Sequence, residues 1–581
     1  MAADLVDLDV ATHRRRGAGA PDEEPAGTAS ADRRSHARTV AVAALALFLV
    51  YGALSFLDDP RGTLGSDSGA KVATVRVMGE RGSLVPDIGY WAQRYDPDGS
   101  LHPMYNSAHV GEHWVDVTTL PMLVAAYPLY QLGGLRAVLV LPMLGGILTA
   151  LAARALARRL RGGDGWWAFW SIGIATPIAV YALDFWEHSL GVAAIAWAVV
   201  FVLDVADRRA GWRGALGAGA LFGVAATMRT EALVYALVAI GAVVLAYIRR
   251  GGTDLRTVAA RVAATVTGIV AVALANEMLE RVIIGSSLRA GRASATAGDA
   301  AGGPVKRLEE ALSTTLGLTR FPNAGEWALG AVLVIAIGLS AWALTRDHER
   351  ARHVAVAALA TAGFVYALRF GTGLGFVPGM LTASPLAVAG IVLWRREPAA
   401  RRLVALAVAA LPLVWVFQYS GGAGPQWGGR YVLVSGMLLA VGAVVALHRV
   451  SRVAVSVFVI AGVAVSACGV AWLSARSHAV ADAMERLEAR HDEVLVSRER
   501  FLLREGGAFY SPDRRWLSAA SDHGLREAFA VTRRAGLDDV GLVQAPGRPR
   551  PRTVAGFVRG HTERVDFFPH TPVTVTTYQL P

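Results

Sequence analysis

The chain has 581 residues, of which 54% are hydrophobic and 18% charged, and its mean hydropathy is +0.41. Lys+Arg 57 against Asp+Glu 46 leaves a formal charge of +11, but the arginines cluster in short loops between long apolar runs. This pattern excludes a nucleic-acid-binding reading of the charge and a soluble globular fold, and predicts an all-α polytopic membrane protein. The single Cys468 excludes an intrachain disulfide.

Residues 1–38, rich in Ala, Gly, Pro, Asp and Arg and without periodicity, are predicted to form a disordered cytoplasmic tail. The first apolar run, 39–57, is long and deep in the chain for a signal peptide and reads as an uncleaved first span. Runs of spanning length or somewhat less follow at 135–156, 166–183, 189–206, 214–228, 231–248, 258–275, 326–345, 352–369, 376–394, 402–419, 431–448 and 453–473. That predicts about thirteen transmembrane helices within a membrane domain 39–473. Arg14, Arg15, Arg16, Arg33, Arg34 and Arg38 precede the first run. The bias recurs after every second span at Arg158–Arg159, Arg208–Arg209, Arg249–Arg250, Arg346 with Arg350, Arg395–Arg396 and Arg449 with Arg452. The expectation is a multi-pass protein of the cytoplasmic membrane with its N-terminus in the cytoplasm and its C-terminus outside.

Three longer segments then face outward. The first, 58–134, ends in the interfacial stretch TTLPMLVAAYPLYQLGG; the second, 276–325, has the Gly/Ala/Ser-rich centre RASATAGDAAGG, expected to be mobile. The third, 474–581, alternates the helical patterns AVADAMERLEARHDE and GLREAFAVTRRAG with the strand-like runs EVLVS, VGLVQ and PVTVTTYQ, and reads as a small extracytoplasmic α/β domain.

Ionisable residues gather at the outer ends of spans: Asp184, Glu187 and His188, then Arg229 with Glu231, Arg369 and Arg430. None falls at the predicted centre of a span, where a transporter would bind its substrate. A reaction at the outer surface has no access to cytoplasmic nucleotide sugars, so its activated group must arrive on a lipid carrier. A polyprenyl-phosphate sugar fits, and the lone arginines Arg229, Arg369 and Arg430 suit its phosphate. The same residues would equally snorkel to lipid phosphate.

The stretch SDSGAK raises a similar pair of readings. Asp67 would N-cap the helix SGAKVATVRVM and pair with Lys71 at i, i+4, or it would accept a proton from an acceptor hydroxyl while Lys71 holds donor phosphate or keeps the carboxylate ionised. Lys71 is one of two lysines in an arginine-rich chain, which favours a task that suits a compact ammonium. Asp184, Glu187 and His188, at helical spacing, would position sugar hydroxyls, bind a divalent ion or pair with one another, with Trp186 beside them as an interfacial anchor. Asp96-Pro97-Asp98-Gly99 describes a turn. His102, His109, Glu112, His113 and Asp116 have spacings compatible with zinc, acceptor contacts being the favoured reading. Trp427, between Gly421–Gly422 and Gly428–Gly429, offers a sugar-stacking platform or an ordinary interfacial turn.

In order and topological side, SDSGAK and YDPDGSLHP in the first loop, YALDFWEH, GVAATMRTEALVYA and PQWGGRYVL resemble bacterial members of the GT-C superfamily of integral membrane glycosyltransferases. The resemblance spans 39–473. It implies a polyprenyl-phosphate sugar donor, an acceptor hydroxyl on the outer face, inversion at the anomeric carbon, and a first-loop acid as general base, which Asp67 matches. Ser68 stands where some members carry a second acid. The reading is therefore a hexosyl- or pentosyltransferase. Asp67 is the base, Lys71, Arg229, Arg369 and Arg430 bind donor phosphate, and Asp184, Glu187, His188 and Trp427 contact substrate. The expected partners are membrane lipids and a cell-envelope glycan, lipid or protein acceptor, with no nucleic acid. No metal site or cofactor is assigned, a divalent cation being left open. The alternative is a lipid-linked saccharide flippase or exporter, which requires a polar path across the membrane. The Ala, Gly and Arg excess points to a GC-rich bacterial genome.

Overall fold

The computed structural model describes residues 26–117, 119–161, 163–250, 254–292, 303–319, 322–372, 375–418, 426–567 and 571–581. A bilayer offers no partners to backbone amides, so apolar runs close their hydrogen bonds internally as helices. The helices are α1 (Ala26–Ser55), α2 (Ser66–Arg81), α3 (Leu120–Val138), α4 (Val140–Arg161), α5 (Trp166–Ile174), α6 (Ile178–Tyr181), α7 (His188–Ala206), α8 (Trp212–Met228), α9 (Glu231–Arg250) and α10 (Leu255–Ile284). They continue as α11 (Pro304–Leu316), α12 (Ala324–Ala343), α13 (Glu349–Gly371), α14 (Met380–Ala383), α15 (Pro385–Leu393), α16 (Arg401–Gln418), α17 (Leu433–Val450) and α18 (Arg452–Glu488). Two more follow, α19 (Leu502–Glu505) and α20 (Asp522–Arg534).

The chain is a multi-pass membrane protein. A helix or a pair of short helices stands at every predicted apolar run, and among the described residues 9 helices are long and apolar enough to cross a membrane. Proline explains two of the shortfalls. Pro177 separates α5 from α6, and Pro385 separates α14 from α15, where continuous runs suggest single spans. At the amino end α1 begins at Ala26, so it overlaps the tail predicted for 1–38; its Ala- and Arg-rich sequence propagates the helix past the apolar segment. The rest of that tail, 1–25, lies outside the described residues, as do 293–302 of RASATAGDAAGG and the Gly421–Gly422 pair.

The largest departure from the sequence reading is in the extramembrane part. The last span and the charged pattern after it are one helix, α18, of 37 residues, which rises from the membrane segment into the C-terminal domain. That domain carries a six-stranded sheet in the order β4 (Trp516–Ser518), β3 (Val494–Ser497), β5 (Asp539–Gln544), β8 (Thr571–Gln579), β7 (Phe557–Phe567), β6 (Thr553–Val554). β3 pairs in parallel with β4 and β5, and the remaining pairs are antiparallel. The first loop adds the hairpin β1 (Ser107–Val110) and β2 (His113–Asp116). Loop and domain are not separate bodies: Ala70, Ala73, Val77 and Ile88 share one core with Met484, Leu503, Trp516 and Phe529. Apolar positions on α2 that face away from the membrane bundle are thereby covered by the C-terminal domain.

Candidate active site

Charged side chains from five places converge where this cap meets the bundle. α2 starts at Gly65, whose N–H and carbonyl both bond the Ser68 hydroxyl, at 3.3 and 2.9 Å. Asp67 is therefore not the N-cap. It sits in the first turn, where the helix dipole favours a carboxylate, and its side chain reaches outward. Its Oδ2 accepts from Arg430 Nη1 at 2.9 Å, and its Oδ1 lies 3.7 Å from Arg504 Nη2. Nor does Lys71 pair with the Asp67 carboxylate. Its ammonium donates to the Asp67 carbonyl at 3.0 Å and forms its ion pair with Glu187 at 2.9 Å.

Glu187 links this pair to a second. Arg229 Nη1 lies 3.3 Å from Glu187, and its Nε donates to Glu231 at 2.8 Å. The arginine lies flat across α7 at Gly191, where a Cβ would come within 2.8 Å of Arg229 Cγ. Arg430, in the short turn before α17, lies over the rings of Trp186 and Tyr431, at 5.4 and 4.7 Å from their centroids. His188 stacks on Tyr181 with ring centroids 5.0 Å apart. Asp184 accepts from the Leu64 N–H at 3.0 Å and so fastens the start of α2 to the α6–α7 turn. Lys71, Asp184, Glu187, His188, Arg229 and Glu231 are all buried.

Burial would raise the Asp67 carboxyl, but Arg430, Arg504, Lys71 and Arg229 together hold it well below the usual carboxylate range. Asp184 goes the other way. Burial pushes it up to about 6 against the pull of the Leu64 N–H, Ser68, Lys71 and Arg476. Nearby Asp58 is pushed up to about 7 by burial and by the charge of Asp184, with Arg136 opposing.

Beside the Asp67–Arg430 pair, His188, Arg229, Glu231, Arg430 and Tyr431 line a small cavity. Both ring nitrogens of His188, Nη2 of Arg229, Oε2 of Glu231 and Nε of Arg430 are buried there without a hydrogen-bond partner among the described residues. Native interiors satisfy nearly all such atoms, so their concentration here leaves unmet hydrogen-bonding capacity around the cavity. A cavity of about 640 Å³ lies at the opposite end of the bundle among Trp166, Trp167, Trp170 and His448.

Two expected contributors, Trp427 and Arg369, stand elsewhere, and Trp186 differs from its expected role. Trp427 is fully buried against Phe376 and Trp472, so it presents no open face to a sugar; the loop folds its indole into the bundle rather than outward. Trp186 is equally buried beneath Arg430 and is not an interfacial anchor. Arg369 pairs with Glu326 at 3.1 Å and bonds Thr372, which does not bring it to the donor-phosphate position expected of it. In the first loop, Asp96 accepts from Tyr90, Ser100 and Leu101, and so closes its turn. His102 and His109 both stack on Trp114, and among the described residues no three His, Cys, Asp or Glu are grouped as for a metal ion.

No motif or spacing in the sequence marks Arg504, and none gives Asp116 a charge partner. Arg504 lies in FLLREGG, where the only hint is the pair Gly506–Gly507, which allows close approach of another backbone.

No family model and no curated protein matches the chain in sequence. Among solved structures it is similar to the Archaeoglobus fulgidus oligosaccharyltransferase in complex with Zn and sulfate, at 12% identity and TM-score 0.45, over 85% of this chain and 67% of that one. It is also similar to ArnT from Cupriavidus metallidurans bound to undecaprenyl phosphate, at 16% identity and TM-score 0.39, over 92% of this chain and 97% of that one. The Archaeoglobus fulgidus enzyme AglB with an inhibitory peptide and a dolichol-phosphate aligns at 11% identity and TM-score 0.40, over 86% and 69%.

Proposed function

We propose that the protein is a glycosyltransferase of GT-C type that moves a sugar from a polyprenyl phosphate to an acceptor hydroxyl at the outer face of the cytoplasmic membrane. The observation that carries this reading is the cavity with unpartnered donors from Arg229, Arg430 and His188, immediately beside Asp67. Guanidinium groups at the end of a helical bundle match a phosphate whose lipid tail lies between helices.

The cations and carboxylates are matched: Lys71, Arg229, Arg430 and Arg504 face Glu187, Glu231, Asp67 and Asp116. An incoming phosphate must therefore compete with a carboxylate for its cation. Arg430 is the natural point of exchange, since it holds Asp67 while lining the cavity. When Arg430 turns to the phosphate, Oδ2 of Asp67 loses its strongest partner and becomes more basic. It then takes the acceptor proton as the acceptor oxygen bonds to the anomeric carbon. The bond from that carbon to the phosphate oxygen breaks, and polyprenyl phosphate leaves with the electron pair. Lys71 and Glu187 keep Arg229 and α2 in place, and Asp184 fixes the backbone next to the base.

The test is to incubate the detergent-purified protein with a panel of radiolabelled polyprenyl-phosphate sugars and membrane acceptors. Transfer with release of polyprenyl phosphate is expected for one member. Binding of none, in a protein with a sharp thermal transition, would overturn the assignment.

A further inference from the structure

The C-terminal domain does more than cover the first loop. Arg504 reaches from α19 into the charge cluster, with only 2% of its side chain exposed, and lies between two carboxylates: Asp116 of β2 at 3.2 Å and Asp67 at 3.7 Å. Its backbone is fixed as tightly as its side chain. A Cβ on Gly69 would fall on the Arg504 carbonyl, and one on Gly507 would fall on the Gly69 carbonyl, so two glycines bring α2 and the 502–507 segment into direct backbone contact. Next to it, Glu505 pairs with Arg476 of α18 at 2.9 Å, and the Thr63 hydroxyl donates to its carbonyl at 3.1 Å. Tyr510 donates to the Gly89 carbonyl at 2.9 Å.

We infer that Arg504 is a positioning residue for Asp67, held by Asp116, and that the C-terminal domain is therefore a working part of the site. This rests on the transferase reading above. Arg430 and Arg504 address different oxygens of the same carboxylate, Oδ2 and Oδ1. Arg430 can leave for a phosphate; Arg504 cannot, because Asp116 and the glycine contact fix it. Through the exchange Arg504 keeps Oδ1 engaged, so the carboxylate does not rotate and Oδ2 stays directed at the acceptor. A guanidinium suits this task because a single terminal nitrogen, Nη2, carries two protons and faces both carboxylates. The charged groups acting on Asp67 are Lys71 from its own helix, Arg229 from the α8–α9 junction, Arg430 before α17 and Arg504 from the domain.

The experiment compares wild type with Arg504→Gln, Arg504→Lys and Asp116→Asn, each with its melting temperature measured. Arg504→Gln is expected to lower kcat by about tenfold or more with little change in donor KM, and to move the acid limb of the kcat profile up by about one pH unit. Arg504→Lys retains the charge and leaves the limb in place while lowering kcat. Asp116→Asn lowers kcat without raising the limb. A purely structural role would lower activity with the folded fraction and leave the limb unmoved in all three, which would overturn the inference. The same shift is read without turnover by carbodiimide labelling of Asp67 against pH, followed by peptide mass spectrometry: protonated Asp67 should label at higher pH in Arg504→Gln. If Arg504→Gln does not fold, kcat per folded protein in Arg504→Lys and Asp116→Asn decides: a loss in both supports the inference, and wild-type values in both overturn it. If wild type transfers from no donor but the labelling shifts, the transferase reading falls and the placement of Arg504 on Asp67 stands; if wild type is active and neither readout moves, only the inference falls.

Discussion

The two ends of the helical bundle both carry many charges, and they use them differently. At the arginine-rich end, ion pairs that each have one partly exposed member include Arg402 with Asp207, Arg159 with Asp204 and Arg449 with Glu397. Each joins one helix to a neighbour near solvent, where such a pair is worth at most about 1 kcal/mol. At the capped end most of the charges are buried, Asp67 itself being half-buried, and they share partners, Asp116 to Arg504 to Asp67 to Arg430, and Lys71 to Glu187 to Arg229 to Glu231. Burying that many ions costs more than the pairs return, and the cost is intelligible where the charges serve chemistry. Burial of most members, rather than the number of charges, distinguishes the capped end from the arginine-rich one.

The largest effect expected from this contrast is at Asp67. Asp67→Asn keeps the shape and, since Gly65 is the N-cap, leaves the helix start intact, so folding and donor binding should survive while turnover falls on the order of 10² to 10⁴. Retention of more than about a tenth of wild-type turnover, in protein of matched melting temperature, would remove Asp67 as base. Arg430→Ala comes next: loss of a buried charged partner should weaken polyprenyl-phosphate binding by roughly 2 to 5 kcal/mol. Arg369→Ala, whose partner is Glu326, should leave donor affinity within about threefold, or roughly 0.7 kcal/mol. Equal losses in a lipid-phosphate binding assay would erase the distinction between the two arginines.

Asp184 provides a smaller, pH-dependent effect. Its folded carboxyl, at about 6 against an ordinary 3.8, costs nothing below pH 3.8. The penalty accumulates as the pH rises from 3.8 to 6 and levels off at roughly 3 kcal/mol above that. Asp184→Asn should therefore melt like wild type near pH 4 and several degrees higher at pH 7.5, read by thermal denaturation in detergent; a constant difference would contradict the buried placement. The smallest change is expected at the other end, where Arg402→Ala should cost about 0 to 1 kcal/mol of stability and leave transfer unchanged. A loss of turnover there would mean that the two ends are coupled.

Much of the architecture was legible because the bilayer imposes it. Apolar run length gives helices, and the prolines that break two of them are also in the sequence. The strand-like runs EVLVS, VGLVQ and PVTVTTYQ became β3, β5 and β8, whereas β7, with its exposed polar positions, has no apolar alternation to announce it. Within the site, Glu187, Arg229 and Arg430 were visible as charges at span ends, and Asp67 and Lys71 as the charged pair of SDSGAK in the first loop. Their partners were not: the i, i+4 rule pairs Lys71 with Asp67, but the nearest buried carboxylate for the ammonium is Glu187, more than a hundred residues away.

By itself, then, the sequence determined the membrane class, the approximate spans and which charged residues lie at one end of them, because hydropathy and helix periodicity are local properties. Tertiary structure decided which cation meets which carboxylate, that Trp427 and Trp186 are packing residues, and that Arg504 enters the Asp67 cluster. Those outcomes depend on two backbones meeting at Gly69 and Gly507, some 440 residues apart. No window of sequence reports a contact whose energy exists only once both surfaces have left water.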